Sequence, residues 1–111
     1  MDTKLSYNET VKQILTAYAT HYSKHNEFPL YTLFDDEQQR YLLLNVGWYG
    51  DEYVHHAPIH IDIIDDKIWV QYDDTEDGVA TALLEAGVPR TGIVLGFRPL
   101  KVRPYTEFAV N

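Results

Sequence analysis

The side chains of this 111-residue chain best equipped for chemistry are His60 and Asp62, two apart, with His55 and His56 a few residues upstream. Imidazole and carboxylate groups bind zinc and related divalent ions, so this cluster could in principle hold one. A working site needs three or four convergent ligands, and spacing alone places only two on one strand face. The competing reading is a hydrogen-bonded His60–Asp62 pair beside Trp69 on the solvent side of a sheet, and we carry that one forward, with neither metal nor cofactor. Asp73, Asp74, Glu76 and Asp77 have the composition of an acid–base cluster. Their place at the start of a helical pattern already explains them, because carboxylates favour the first turn of a helix. Cysteine is absent, which removes a thiol nucleophile, thiolate metal sites and disulfides. No glycine-rich phosphate loop, nucleophile elbow or dinucleotide fingerprint occurs. The expectation is a protein that is not an enzyme.

These residues need a scaffold, and the run from Ile59 to Asp77 describes its centre. Asp65 and Asp66 sit between two alternating flanks, which predicts a two-residue hairpin with Ile64 opposite Lys67. In that register one face carries Ile59, Ile61, Ile63, Ile68, Val70 and Tyr72. The other carries His60, Asp62, Ile64, Lys67, Trp69 and Gln71. Arg40–Tyr49 alternates in the same way with apolar residues on both faces, as a central strand does. Phe28 to Phe34 reads as a further strand, with Pro29 at an edge or before pairing begins, and Tyr53 to Ile64 as another, with a bulge or an unpaired side around Ala57 and Pro58. Four strands joined by short turns make an antiparallel meander.

Two helices flank it. Ser6 to Tyr22 places Tyr7, Val11, Ile14, Leu15, Tyr18 and Tyr22 on one face, and Ser6 with Glu9 has the spacing of a capping box, although a start near Thr3 fits equally. Thr75 to Ala86 follows a cap at Asp73 or Asp74, buries Val79, Ala80, Leu83 and Leu84, and stops at Gly87. Ile93 to Phe97 suits a short strand, and Tyr105 to Val110 alternates as a final one. The expected fold class is α+β in a single domain spanning residues 1–111, with the helices on one face of the sheet.

Formal net charge is −8, and it is unevenly spread. Between Asp35 and Asp77 twelve acidic residues face only Arg40 and Lys67, whereas Arg90, Arg98, Lys101 and Arg103 follow one another with no acid between them. Affinity for nucleic acid rests largely on phosphate neutralisation and counterion release, so independent binding to DNA is disfavoured. No leader-like pattern follows Met1 and no apolar run approaches the length of a membrane span, which sets the expectation of a cytoplasmic protein with no membrane partner.

The segment HIDIIDDKIWVQYDDTEDGVATALLEAGVP, followed by IVLGF, RP and YTEFAV, resembles the XisI family, excision-controlling factors first associated with the fdxN DNA element of cyanobacteria. The likeness continues upstream through FDDEQQRYLLLNVGW and the first helix, covering almost the whole chain. Two positions depart from the family pattern: Arg98 stands where a His is expected and Leu100 where a second Pro is. The resemblance implies an accessory factor that assists a site-specific recombinase, or another excision factor, in removing a DNA element. The residues add that an acidic domain without a nucleophile should act through protein contacts, leaving strand cleavage to the recombinase.

Candidate contact residues are His60, Asp62, Trp69, Arg98 and Arg103, because an exposed tryptophan ringed by polar groups has the composition of a protein interface. The plainer alternative is that a helix covers this face. Apolar residues on both faces of the strands, with only two helices to cover them, lead us to expect a homodimer or higher homo-oligomer. Two other functions stay open: a small metal-dependent hydrolase or nuclease, if a third ligand joins His60 and Asp62, and a structural subunit in a complex unrelated to recombination.

Overall fold

The computed structural model describes residues 6–25, 30–76 and 78–111, with residues 23–25 as backbone only. The expected helix start at Thr3, the strand start around Phe28 and Pro29, and Asp77 lie outside this range. The fold is α+β: helix α1 (Tyr7–His25), strands β1 (Tyr31–Asp35), β2 (Arg40–Tyr49), β3 (Glu52–Ile64) and β4 (Lys67–Asp73), helix α2 (Val79–Glu85) and a short strand β5 (Ile93–Leu95). The sheet order is β1-β2-β3-β4-β5. The first four strands form the expected antiparallel meander, and β5 adds in parallel to β4 after the α2 crossover.

Local chemistry explains the turns. Asp65 and Asp66 both adopt positive φ, 51° and 62°, the backbone of a tight hairpin turn whose twist matches that of the strands. Ile64 faces Lys67 across it. Between β1 and β2, the Asp35 carboxylate accepts the backbone N–H groups of Glu37 and Gln38, closing the loop in a side-chain-mediated turn. At the start of α1 the Ser6 hydroxyl accepts the Glu9 backbone N–H at 3.4 Å and donates to the Glu9 carboxylate at 3.1 Å, a capping arrangement.

Two β-bulges set which side chains face which way. Leu43 pairs with Ile59 and Asn45 with His56, so β3 carries one extra residue at Ala57 and Pro58. This is where proline, lacking a donor, predicts it. The second bulge was not expected: Ile61 pairs with Val70 but His60 with Tyr72, leaving Gln71 as the extra residue on β4. Tyr72 is therefore moved from the apolar face to the His60 side, where it is exposed, and Asp73 takes the place opposite Ile59.

That shift has a use. Asp73 now accepts the Val79 backbone N–H at 2.6 Å, the Thr75 backbone N–H at 2.9 Å and the Thr75 hydroxyl at 2.6 Å. It anchors α2 as foreseen, but α2 begins at Val79 and not at Thr75. Gly78, at φ 81°, precedes it in a left-handed conformation that ends any helix extending from upstream. The stop is as expected: Gly87 donates to Leu84 and Val88 to Leu83, with Gly87 at φ 99°, a Schellman closure.

Both helices lie on one face of the sheet. Val11, Leu15 and Ala19 of α1 and Val79 and Leu83 of α2 close over Tyr41, Leu43, Ile59, Ile61, Ile63, Ile68, Val70 and Ile93. Among the described core residues the one polar side-chain atom, the Tyr41 hydroxyl, donates to Asp36 at 2.8 Å, and Asp36 pairs with Lys12 of α1 at 2.7 Å. The Lys12 ammonium and then the Tyr41 hydroxyl hold the Asp36 carboxyl below its ordinary range. Burial, reinforced by Asp36, pushes Tyr41 up to about 12.

Candidate functional site

The face of the sheet away from the helices has two unlike halves. Over β4 and β5 it is covered by the chain's own C-terminal segment. Gly96 donates to the Val70 carbonyl at 2.8 Å, and from there the chain crosses onto the outer face, so close that a Cβ at position 96 would lie 2.7 Å from Gln71 Oε1 and 3.1 Å from Trp69 Cε3. The Arg103 guanidinium rests over the Trp69 ring at 5.2 Å, a cation–π contact. Arg103 Nε donates to the Arg98 carbonyl at 3.0 Å and its terminal nitrogen to the Val110 carbonyl at 3.2 Å, so one side chain ties the loop to the sheet. Val94, which pairs with Trp69, is fully buried under this cover. Ala109 returns to bridge Val94, which reduces the expected final strand to a single bridge: Tyr105 ends a short 3-10 turn and Glu107 takes a positive φ of 70°, so the chain bends before it can pair.

The five residues singled out in the sequence are brought into one neighbourhood. His60 Nε2 lies 2.9 Å from Asp62 Oδ1, and Gln71 donates to Asp62 Oδ2 at 3.1 Å. Asp62 is only 9% exposed, and both of its oxygens are satisfied. Trp69 pairs with Asp62 across β3 and β4, which joins this network to Arg103 and Arg98. Trp69 is half-buried, and what lies over it is the C-terminal segment, not α1 or α2. Among the described residues no group of three or more His, Asp or Glu converges as a metal site would require. His56 is engaged separately, 2.7 Å from Asp74 and edge-on to Tyr72. Arg90 also stands outside the cluster, over the Phe108 ring and 3.9 Å from Glu107.

Over β1, β2 and the far end of β3 the same face is open. Leu33 pairs with Leu42, Tyr31 with Leu44, and Trp48 with Tyr53. Strand alternation puts Leu42, Leu44, Val46 and Trp48 on one side. Trp48 is 62% and Tyr53 52% exposed, and Tyr31 and Leu33 are exposed as well. The rings of Trp48 and Tyr53 meet at 5.1 Å. From Asn45 to His56, β2 and β3 pair only with each other among the described residues, a two-stranded arm of a kind that is marginal in water without further support. Sequence reasoning expected uncovered apolar strand faces but named no contact residue here, because it drew its candidates from the β3–β4 hairpin and the C-terminal loop. The signal was present in the apolar residues on both faces of β2.

Comparison with known proteins agrees with this fold throughout its length. The model of the family described as XisI protein matches residues 1–110, while no curated protein matches. A crystal structure of a XisI-like protein from Anabaena variabilis ATCC 29413 is 38% identical, with a TM-score of 0.87, covering 95% of this chain and 96% of the other. The fdxN element excision controlling factor XisI of the same organism is 32% identical with a TM-score of 0.81, covering 96% of each chain. With a family model matched from end to end and relatives aligned over nearly their full lengths, this chain belongs to the XisI family.

Proposed function

We propose that this protein is a non-catalytic, cytoplasmic accessory factor in the excision of a DNA element, acting by contact with a site-specific recombinase and with a second copy of itself. The observation that carries this reading is the open half of the outer sheet face, where Tyr31, Leu33, Trp48 and Tyr53 lie exposed together. An aromatic and aliphatic surface of this extent is costly to leave in water and is what protein interfaces use as anchors. Arg98 and Arg103 supply its charged border through the C-terminal loop. His60 lies where the two halves meet, while Asp62 and Trp69 act from beneath, the first by ordering His60 and Gln71, the second by seating Arg103. The excision role itself is suggested by the relative named as an fdxN element excision controlling factor.

Electrostatics supports protein over nucleic acid as the direct partner. The net charge of −8 opposes the phosphate field. Of the four cations between Arg90 and Arg103, Arg90 is engaged beside Glu107. An anisotropy titration of labelled duplex DNA with the protein, at low and at physiological salt, tests the proposal. No saturable binding is expected at physiological salt. Tight binding there, weakened by Arg98→Ala with Arg103→Ala, would make the loop a DNA-binding element and overturn the contact mechanism.

A further inference from the structure

The outer face presents a step: one half is bare sheet, the other is raised by the C-terminal segment that lies on it. The two halves also differ in charge. Bare sheet ends in acidic turns, Asp35 and Glu37 between β1 and β2, Asp51 and Glu52 between β2 and β3, all exposed. The raised half carries Arg98, Lys101 and Arg103, interleaved with exposed Phe97, Leu100 and Val102, and is followed by Tyr105. Each half thus has an apolar centre, and the acidic turns of one can face the basic loop of the other; Arg40 on β2, the Asp65–Asp66 turn and Glu107, all exposed, run against this division.

We propose that two copies of this chain pack outer face to outer face about a two-fold axis, the raised C-terminal loop of each filling the bare β1–β2 half of the other. This rests on the reading that the outer face makes protein contacts, and adds which surface meets which. A two-fold contact must be self-complementary, so that if Leu100 of one copy meets Trp48 of its partner the reverse holds as well. Direct superposition of the bare halves would satisfy the symmetry too, but it would bring acidic turns together and leave the basic loops in water. The crossed arrangement pairs opposite charges at both borders.

Area favours it as well. Strands rise about 3.4 Å per residue and lie about 4.8 Å apart, so five-residue β1, ten-residue β2 and the Glu52–His56 end of β3 together span on the order of 330 Å2 of flat sheet. One such contact falls well short of the roughly 800 Å2 per partner of a stable interface, whereas two related by symmetry come within reach of it.

Sedimentation velocity at micromolar concentration should give a species at twice the 12.9 kDa chain mass. Trp48→Glu, at a site 62% exposed, and Leu100→Glu, at a site 58% exposed, should each give a folded monomer whose cooperative melt is lowered only by what association contributes and no longer depends on protein concentration. The deciding experiment uses the absence of native cysteine. Trp48→Cys mixed with Leu100→Cys should give a disulfide-linked pair of unlike chains on oxidation with diamide, because the crossed arrangement sets position 48 of one copy against position 100 of the other, while Trp48→Cys alone should give no linked pair. A monomeric wild-type protein, a dimer indifferent to both glutamate substitutions, or cross-linking of Trp48→Cys to itself and not to Leu100→Cys would each overturn the arrangement. Excision distinguishes this arrangement from the reading it rests on: a monomeric wild-type protein that still supports excision, and loses it on Trp48→Glu, would overturn the arrangement and leave the recombinase contact standing.

Discussion

The two faces of the sheet solve the same burial problem differently. The inner face is closed by helices from the same chain, and its residues are apolar, fully enclosed and few in polar atoms. Over β4 and β5 the outer face is closed by a loop that brings arginines with it, and over β1 and β2 the described residues leave Tyr31, Leu33 and Trp48 exposed. Burial on the inner face maintains the fold, so substitutions there should cost stability. Residues on the bare outer half contribute little to the monomer and are free to serve contact, so substitutions there should cost association, and lower the melt only by what association adds.

The largest expected effect is on the inner face. Val70→Asp would place an unpaired carboxylate opposite Ile61, at a site 1% exposed, and should cost about 4 kcal/mol or more, enough to abolish a cooperative melt in a marginal domain. A melting temperature close to that of the wild type would mean the two faces are not as different as described. Gly96→Ala probes the boundary, since the new Cβ must displace Gln71 and press on Trp69 and the Val70 carbonyl. A loss of roughly 1–3 kcal/mol in denaturant titration, with a change in Trp69 fluorescence as the loop lifts, is expected. Removing the anchor of α2 by Asp73→Ala should cost about 1–2 kcal/mol, the usual range for a lost helix-end acceptor. Hydrogen exchange should then rise first at Val79.

The Tyr41–Asp36 bond offers a pH signature specific to the inner face. Tyr41 titrates higher in the folded state, at about 12 against an ordinary 10. Its contribution is therefore fully present below pH 10 and is lost as pH climbs toward 12. Asp36 titrates lower when folded, so its contribution is present above the ordinary carboxylate range and is lost as acid is added. The stability gap between wild type and Tyr41→Phe should narrow between pH 10 and 12. A gap that stays constant there would show that the hydroxyl does not report on folding. The smallest effect belongs to Lys67→Ala, whose ammonium donates to the Asn111 carbonyl. A change within about 0.5 kcal/mol is expected for such a surface site.

How much of this could be read in the sequence follows the range of the forces involved. Local chemistry was legible: the Asp65–Asp66 turn, the Ser6–Glu9 cap, the Gly87 stop and the bulge at Pro58 all announce themselves within a few residues. Alternation gave the face of every residue in the β3–β4 hairpin from Ile61 to Val70. Tyr72 escaped because a bulge at Gln71 has no residue signature of its own, and one inserted residue reverses every side chain beyond it. The early part of α2 was lost to Gly78, whose positive φ outweighs the helix-favouring carboxylates before it. Of the site, the His60–Asp62 pair followed from spacing. The Arg103–Trp69 contact joins segments more than thirty residues apart and could be seen only once the chain was folded.

The measurement that bears most directly on the division between the faces is excision frequency in cells that carry the recombinase and a reporter gene interrupted by its element. The wild-type protein should support excision, and Lys67→Ala should match it. Trp48→Glu with Leu33→Glu, folded and expressed to the same level, should lose it by tenfold or more. Excision undiminished in that double variant would contradict the claim that the bare half of the outer face is where this protein works.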